Sequence, residues 1–363
     1  MLRSFLFAAL LAPLVLMTAS PSSQAEPVRV AIVRLTHDHV FWLLARPKDR
    51  GDVQIIGVYE PNEKLAEERA DKYGIDRSLL YTDLDEMLSA TKPEAAVHFG
   101  NIAEHHDHTL ACVERGVHVM VEKPLALSLA EARSMADAAR TADVQLLTNY
   151  ETTWYPNNRE LKRRLDAGDL GGVRRLVFRT GHRGPIEIGC RDVFLEWLLD
   201  PELNGGGAIT DFGCYGANLA TWFFDGERPQ SVWAETKTLK PDLYPRVDDD
   251  ATIVLNYASS TVVIQPSWNW PMNVKDLRLF TDREEVLTIG NDRLQVLNPE
   301  SEEEKIAPLQ APQDDPFAHF AAVVRGEIEA HPLCSIENNL VVMELLDAAR
   351  RSAESGQEVV LKD

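Results

Sequence analysis

The sequence predicts an α/β protein. An N-terminal, doubly wound parallel sheet is followed by an α+β domain with one broad, mostly antiparallel sheet. Three observations predict this. Between 28 and 148, short apolar strands alternate with helices of amphipathic spacing. Between 231 and 297, strands follow one another with no helix between them. One apolar strand, 117–121, runs directly into Glu122-Lys123-Pro124. A charged pair closed by proline is unusual at a buried strand end. Pro124 keeps Lys123 out of helical geometry, so the lysine leaves the strand extended, at the sheet edge where open parallel sheets bind ligands.

In chain order, 28–33 is a strand, 36–39 a polar turn, and 41–44 begins a helix. The strand 53–59 ends at Glu60. Helix 61–73 has Pro61 in its first turn, Leu65, Ala66, Ala70 and Tyr73 on one face, and Gly74 as its stop. A short helix at 84–89, a strand at 95–99 and a helix at 103–115 precede the 117–121 strand. Helix 127–142 is entered at Ser128 with Glu131 three residues on, a capping box, and 144–148 is the next strand. The pattern then changes. Helix 158–167 and strand 173–181 lead to 194–200, three glycines at 205–207 and a helix at 211–224. Strands follow at 231–238, 251–257, 260–267, 276–281, 285–289 and 293–297. After a solvated charge run at 300–305, helices 315–325 and 335–355 close the chain. The domains are therefore 26–149 and 150–363, with the final helices free to pack back on the first.

The 363 residues suffice for two such domains, and 45% hydrophobic with 26% charged residues is ordinary for a globular protein. A net charge of −20 argues against nucleic acid or an anionic membrane surface as partner. Residues 1–25 read as a secretory leader: Arg3, an apolar run from Phe5 to Ala19 too short to span a bilayer, and a small-x-small site at Ser23-Gln24-Ala25. Export to the periplasm or beyond the cell is expected, with no membrane attachment after cleavage. Cys112, Cys190, Cys214 and Cys334 show no paired spacing; buried free thiols are expected, although an exported protein permits disulfides.

The turn after the first strand should carry a glycine fingerprint for phosphate, yet the six residues are Arg34-Leu35-Thr36-His37-Asp38-His39. Thr36 could cap the following helix, and Arg34 could replace backbone contacts with a charge-assisted bond to phosphate. Glu60, 26 positions past Arg34, suits an adenosine ribose and disfavours a 2′-phosphate; alternatively it complements the next helix dipole. NAD over NADP is the resulting expectation. His105, His106 and His108 tempt a metal reading, as does His37-Asp38-His39, but no convergent partner is evident and no metal is expected. Asp211 and Tyr215 stand at i and i+4 after the three glycines, which would let backbone and ligand approach closely. With Lys123 near, they form a proton-transfer set in which the ammonium would lower the Tyr215 pKa. The plainer alternative is an Asp211 helix cap and a packed Tyr215.

Taken together, these residues resemble the glucose–fructose oxidoreductase / inositol dehydrogenase / rhizopine-catabolism (Gfo/Idh/MocA) family. The resemblance lies in Asn101-Ile-Ala-Glu-His105, Gly116-Val-His-Val-Met-Val-Glu-Lys-Pro-Leu-Ala126, Gly168-Asp-Leu-Gly-Gly-Val173 and Gly205-Gly-Gly-Ala-Ile-Thr-Asp-Phe-Gly-Cys-Tyr215, and it covers the whole mature chain. It implies a Rossmann-type first domain and hydride transfer between a bound nicotinamide and a sugar, polyol or related hydroxy compound. By resemblance Lys123 orients the reacting hydroxyl, Tyr215 is the acid/base and Asp211 positions substrate. Arg34, Thr36, His37, Glu60, Asn101, His105, Glu122 and Lys123 would surround the cofactor, and a homo-oligomer would form through the C-terminal sheet. Departures are Gly100 before Asn101, Thr152 and Thr153 where arginines are common, and the missing glycines. Two alternatives are a glycoside hydrolase that uses NAD transiently and a non-catalytic sugar-binding protein on a degenerate scaffold.

Overall fold

The structure, a computed structural model, describes residues 26–298 and 300–361; the expected leader lies outside them. Strands β1 (Val28–Val33), β2 (Val53–Tyr59), β3 (Leu80–Tyr81), β4 (Ala95–His98), β5 (His118–Glu122) and β6 (Leu146–Asn149) form one sheet in the order β3-β2-β1-β4-β5-β6. Every neighbouring pair is parallel. The chain winds outward from β1 to β3, then returns to β4 on the other side of β1. The reversal leaves a crevice at the carboxyl ends of β1 and β4, between the Arg34–His39 turn and Phe99–Asn101.

The intervening helices are α1 (Val40–Leu44), α2 (Glu63–Tyr73), α3 (Leu84–Thr91), α4 (His105–Val113) and α5 (Leu129–Ala142). Three differ from expectation. α1 is only five residues long, and its N-cap His39 makes no side-chain cap. Thr36 instead donates to the Phe99 carbonyl (3.4 Å). Pro61 precedes α2, whose cap is Asn62, accepting from Leu65 N. Before α4, a 3₁₀ turn at Ile102–Glu104 carries a reciprocal capping box between Asn101 and Glu104. The Ser128/Glu131 box opens α5 as read from sequence.

The remainder comprises α6 (Pro156–Asp166), β7 (Val173–Gly181), α7 (Asp192–Leu198), α8 (Pro201–Asn204), α9 (Ala208–Asp211) and α10 (Gly213–Phe223). Next come β8 (Ser231–Lys237), β9 (Asp250–Asn256), β10 (Thr261–Ser267), β11 (Val274–Thr281), β12 (Glu285–Ile289), β13 (Arg293–Val296) and β14 (Glu304–Lys305). The last elements are α11 (Pro316–Val324), α12 (Ile336–Ser355) and β15 (Val359–Val360). The nine strands order as β14-β13-β12-β11-β7-β10-β9-β8-β15. All pairs are antiparallel except β7 with β10. The short edge strands β3, β14 and β15 carry too few residues to show a period.

Inward residues alternate along β9 and β10, and their apolar face packs with α10 and α12 in one large core. A second cluster lies on the other face of the parallel sheet, where Phe317 and Phe320 of α11 pack with Val28, Val30 and Ile32 of β1. Asp315, the α11 cap, also pairs with Arg46 (2.7 Å). Helix α11 is thus fastened to the first sheet. Among the described residues no helix is long and apolar enough to cross a membrane. All four cysteines are free thiols, Cys112, Cys214 and Cys334 buried.

Candidate active site

Lys123 leaves β5 at the sheet's carboxyl edge and is 7% exposed. Its Nζ donates to Asp211 Oδ1 (2.6 Å) and to the Asp211 carbonyl (3.3 Å). The other carboxylate oxygen, Oδ2, accepts from Trp268 Nε1 (3.0 Å). Burial alone would lower the lysine's pKa and raise the aspartate's. Their mutual charge and hydrogen bond outweigh it, so Lys123 is held above and Asp211 below the ordinary value. Each Asp211 oxygen is thus engaged, one by Lys123 and one by Trp268, and the carboxylate holds Lys123 in place.

The glycines explain how Asp211 reaches this place. Gly206 has φ +145°, and a Cβ on Gly207 would stand 1.8 Å from the Asp248 carbonyl oxygen. The close approach is that of the 248 backbone, not of a ligand as the sequence suggested. The Asp248 carboxylate accepts from the Gly207 and Ile209 amides (2.8 and 2.7 Å), which fixes α9 with Asp211 as its last residue. The continuous helix expected from 211 is two, broken at Phe212, and Asp211 is not its N-cap.

Asp211 and Tyr215 still reach one cavity of about 240 Å³, whose wall also holds His37, Lys123, His182 and Lys275. Tyr215 is 2% exposed and stands edge-on to Tyr150, whose buried hydroxyl has no partner among the described residues. Burial, then the charges of Glu151 and other acids, push the Tyr215 pKa well above the ordinary phenol value. The lowering expected from Lys123 does not occur, because that ammonium is neutralised by Asp211. Sequence reasoning missed Lys275. Its Nζ, like that of Lys123, lies 5.4 Å from the Tyr215 ring centre, and it pairs with Glu151 (2.7 Å). His182 was missed too; burial lowers its pKa to about 4, and its Nδ1 accepts from Gly184 N (3.0 Å), leaving the proton on Nε2. The sequence does place His182 just after one strand, 173–181, and Lys275 just before another, 276–281, which the structure extends back to Val274. Only the Val274↔Gly181 register brings them together.

The turn after β1 is arranged differently from the sequence expectation. Arg34 has φ +70°, a left-handed residue where glycine was looked for. Its guanidinium binds Glu60 Oε1 (2.7 Å) and Glu104 Oε2 (3.0 Å), not an open phosphate site. Glu60 also accepts from the Leu35 and Asn62 amides (2.9 and 3.0 Å), and its side chain is closed to solvent. The expected ribose contact of Glu60 is therefore not available in this arrangement. The His37 amide goes to the Phe99 carbonyl (2.7 Å) and that of His39 to His37 Nδ1 (3.0 Å). Replacing Arg34 by alanine should strand Glu60 and lower unfolding stability by about 3 kcal/mol. Urea unfolding checks this, and a loss below about 1 kcal/mol would mean that the pair does not hold the turn.

The other expected cofactor residues lie around this crevice. Asn101 is occupied with its capping box. His105 is fully buried, with Nδ1 on the Leu125 carbonyl (3.2 Å) and Nε2 unpartnered. Glu122 receives Asn149 Nδ2 (2.8 Å), its β6 neighbour in register, and contacts His39 Nδ1 (2.8 Å). His37 lines the cavity with its Nε2 unpartnered. Convergent groups that the sequence did not reveal do exist: His37, His39 and Glu122, and His98, Glu104 and His108. Each already contains a hydrogen-bonded pair, His39–Glu122 and His98–His108 (both 2.8 Å), and Arg34 sits against Glu104. His106 faces Ser134 instead.

These histidines make stability depend on pH. Burial holds His105, His182 and His319 at about 4 and His331 at about 3, with His37 and His98 also well below 6.5. They are neutral in the folded state, while the unfolded chain takes up protons below 6.5. Their contribution is present above that pH and lost as pH falls from 6.5 towards 4. Urea midpoints should decline through this window; a flat profile between pH 6.5 and 5 would contradict neutral burial.

Comparison with known proteins agrees with this geometry. Residues 29–150 match the family description "Oxidoreductase family, NAD-binding Rossmann fold", and 158–285 match "GFO/IDH/MocA C-terminal domain". The trans-1,2-dihydrobenzene-1,2-diol dehydrogenase of Xenopus laevis is 30% identical over 236 residues, 64% of this chain and 66% of that protein. The D-glucoside 3-dehydrogenase of Escherichia coli (strain K12) is 28% identical over 187 residues, 52% of this chain and 51% of that one. The chain thus spans less than two thirds of either relative's length. An inositol dehydrogenase homolog from Azotobacter vinelandii, solved with NAD+, superposes with a TM-score of 0.81 at 17% identity, over 93% of this chain and 98% of the other. The aldose-aldose oxidoreductase from Caulobacter crescentus, solved with glycerol, gives 0.77 at 21%, over 93% and 100%. At these identities the structural likeness shows the fold.

Proposed function

The chain belongs to the Gfo/Idh/MocA oxidoreductase family, and from that premise we propose that it moves a hydride between a nicotinamide cofactor and a secondary alcohol carbon of a sugar, polyol or related hydroxy compound. The observation that carries this reading is the buried Lys123–Asp211 pair, 2.6 Å apart, facing a cavity that Tyr215 also lines, at the carboxyl edge of a parallel sheet. The relatives from Xenopus laevis and Escherichia coli are named as dehydrogenases of a diol and of a glucoside, which supports the same class.

The nicotinamide end of the crevice suits the cofactor. His37 offers an unpartnered, buried Nε2 donor there, and Glu122 and Lys123 stand beside it. When bound, the nicotinamide supplies the hydride acceptor or donor. Lys123, with Asp211 holding two of its donor directions, can aim the third at the substrate oxygen and stabilise negative charge on it. Tyr215 stays protonated, so it can give its proton to the oxygen when a ketone is reduced. In oxidation the order reverses: the phenol first gives its proton to solvent through the cavity, and the minor phenolate form so made takes the substrate's hydroxyl proton as the hydride leaves, with the Lys123 and Lys275 Nζ atoms each 5.4 Å from the ring centre. Asp211 and Trp268 are positioning residues for Lys123. We also propose NAD in preference to NADP. Arg34 with Glu60 and Glu104 carries one positive and two negative charges, a cluster that disfavours a 2′-phosphate.

The test is to add NAD+ and a panel of sugars and polyols to purified protein and follow reduced nicotinamide. Accumulation with at least one hydroxy compound is expected. Release of an aglycone without net reduced nicotinamide would indicate the hydrolase instead. One observation favours a non-catalytic sugar-binding protein: the Leu35, His37 and His39 amides all go to protein acceptors, leaving fewer for a pyrophosphate. That reading predicts sugar binding with no nucleotide binding.

A further inference from the structure

Six large apolar side chains are exposed among the described residues, and five of them lie on three segments that meet beside the reaction cavity, whose wall includes Ile188. Ile186 and Ile188 come from the loop after β7, Leu239 and Leu243 from the loop after β8, and Met272 from the turn before β11. These three segments are tied at one point. Lys240 Nζ donates to the Arg183 carbonyl (2.7 Å) and the Trp268 carbonyl (2.8 Å) and pairs with Glu187 (2.5 Å). The Tyr244 hydroxyl bonds Glu187 and accepts from Ile186 N (3.4 Å). The loops therefore present one surface held by internal polar contacts, not scattered apolar residues.

That surface is continuous with the site. Ile188 is 45% exposed yet forms part of the cavity wall, and Met272, 67% exposed, adjoins Asn273, which also lines it. Helix α7 divides two spaces. Phe194 and Leu198 face the cavity, whereas Leu195 and the adjoining Leu199 face an open groove of about 450 Å³ floored by Leu243, Tyr244 and Pro245. The cavity itself, about 240 Å³, is smaller than the open groove. Ile188, on its wall and open to solvent, marks where a group attached to the reacting ring would pass outward, with Met272 beside Asn273 next to it.

We propose that the substrate is amphiphilic: a hydroxylated ring enters the cavity, and an alkyl or aryl substituent lies on the apolar mouth and in the groove beside α7. This inference rests on the function proposed above and names its substrate class. A flexible methionine and branched aliphatic residues suit an apolar group of variable shape. Glu187 and Lys240 in the rim neutralise each other, and Arg246 on the groove wall is paired with Asp200, while Asp192 and Glu196 on the same wall oppose an anionic substituent. A second copy of a chain with net charge −20 is a poorer occupant, since its own like charge opposes the approach.

The experiment compares methyl and hexyl β-D-glucoside, by calorimetric binding and by reduced-nicotinamide formation, in the wild type, Met272→Ser and Leu243→Ser. Hexyl glucoside should bind at least about tenfold more tightly than methyl glucoside, and each substitution should narrow that ratio. Equal affinities, no binding of the hexyl compound, or a ratio untouched by both substitutions would overturn the proposal. A fall in sedimentation from dimer to monomer in the variants, with the ratio unchanged, would also overturn it and assign the surface to a second copy. Tighter hexyl binding without reduced nicotinamide would uphold the apolar site while removing the oxidoreductase reading.

Discussion

Lys123→Ala should lower turnover at least about a hundredfold, the scale on which a group acting directly on the reacting oxygen is felt. The effect has two parts, and they can be separated. Removing the ammonium leaves Asp211 buried with only the Trp268 indole as partner, which should cost about 3 kcal/mol of stability. It should also raise the aspartate's pKa, since Lys123 is what holds it down. The double variant Lys123→Met with Asp211→Asn removes both charges and keeps the volume. It should recover much of the stability, because an apolar side chain and a neutral amide can replace a buried ion pair. It should recover none of the turnover. Denaturant unfolding and steady-state rates on the same preparations decide the matter. Recovery of turnover in the double variant would take Lys123 out of the chemistry and leave it a structural tie.

Tyr215→Phe should also reduce turnover about a hundredfold, but for a different reason and with a different signature. The substitution keeps the ring and removes one hydroxyl, so stability should change by no more than about 1 kcal/mol. Because burial keeps the phenol protonated through the neutral range, the wild-type rate of ketone reduction should show no limb near neutrality that the variant lacks. Full activity in Tyr215→Phe would move the proton to another group in the cavity wall. His182, neutral at the same pH, is the residue the geometry offers.

The parts of this account that were legible in sequence are those fixed by short-range physics. Strand and helix alternation follows from period and punctuation, and the capped helix start at Ser128 follows from side chains within three residues of the amides they serve, whereas the Asn62 cap was passed over for Pro61. Glu122-Lys123-Pro124 and Gly205-Gly206-Gly207 marked the two ends of the site because each violates what its position would otherwise select. The partners were not legible. Asp211 and Lys123 are 88 residues apart, Trp268 lies 57 beyond Asp211, and Glu151 meets Lys275 across 124. These contacts depend on strand register and on how the two sheets face each other, which no local pattern encodes. The turn after β1 failed for another reason. Its residues were read as free to meet a ligand, whereas a buried carboxylate at 60 had already claimed the arginine and two amides.

That turn is also where the functional reading is most exposed. The family carries a Rossmann-type nucleotide domain, but here the loop's donors are largely engaged by the protein itself. Calorimetric titration of nucleotide-stripped protein with NAD+ and NADP+ therefore tests the central claim most directly. The account predicts saturable binding of NAD+, weaker binding of NADP+, and loss of neither when Met272 is replaced by serine, since that residue lies at the substrate mouth. No detectable binding of either nucleotide would contradict it and leave a sugar-binding protein on a dehydrogenase scaffold.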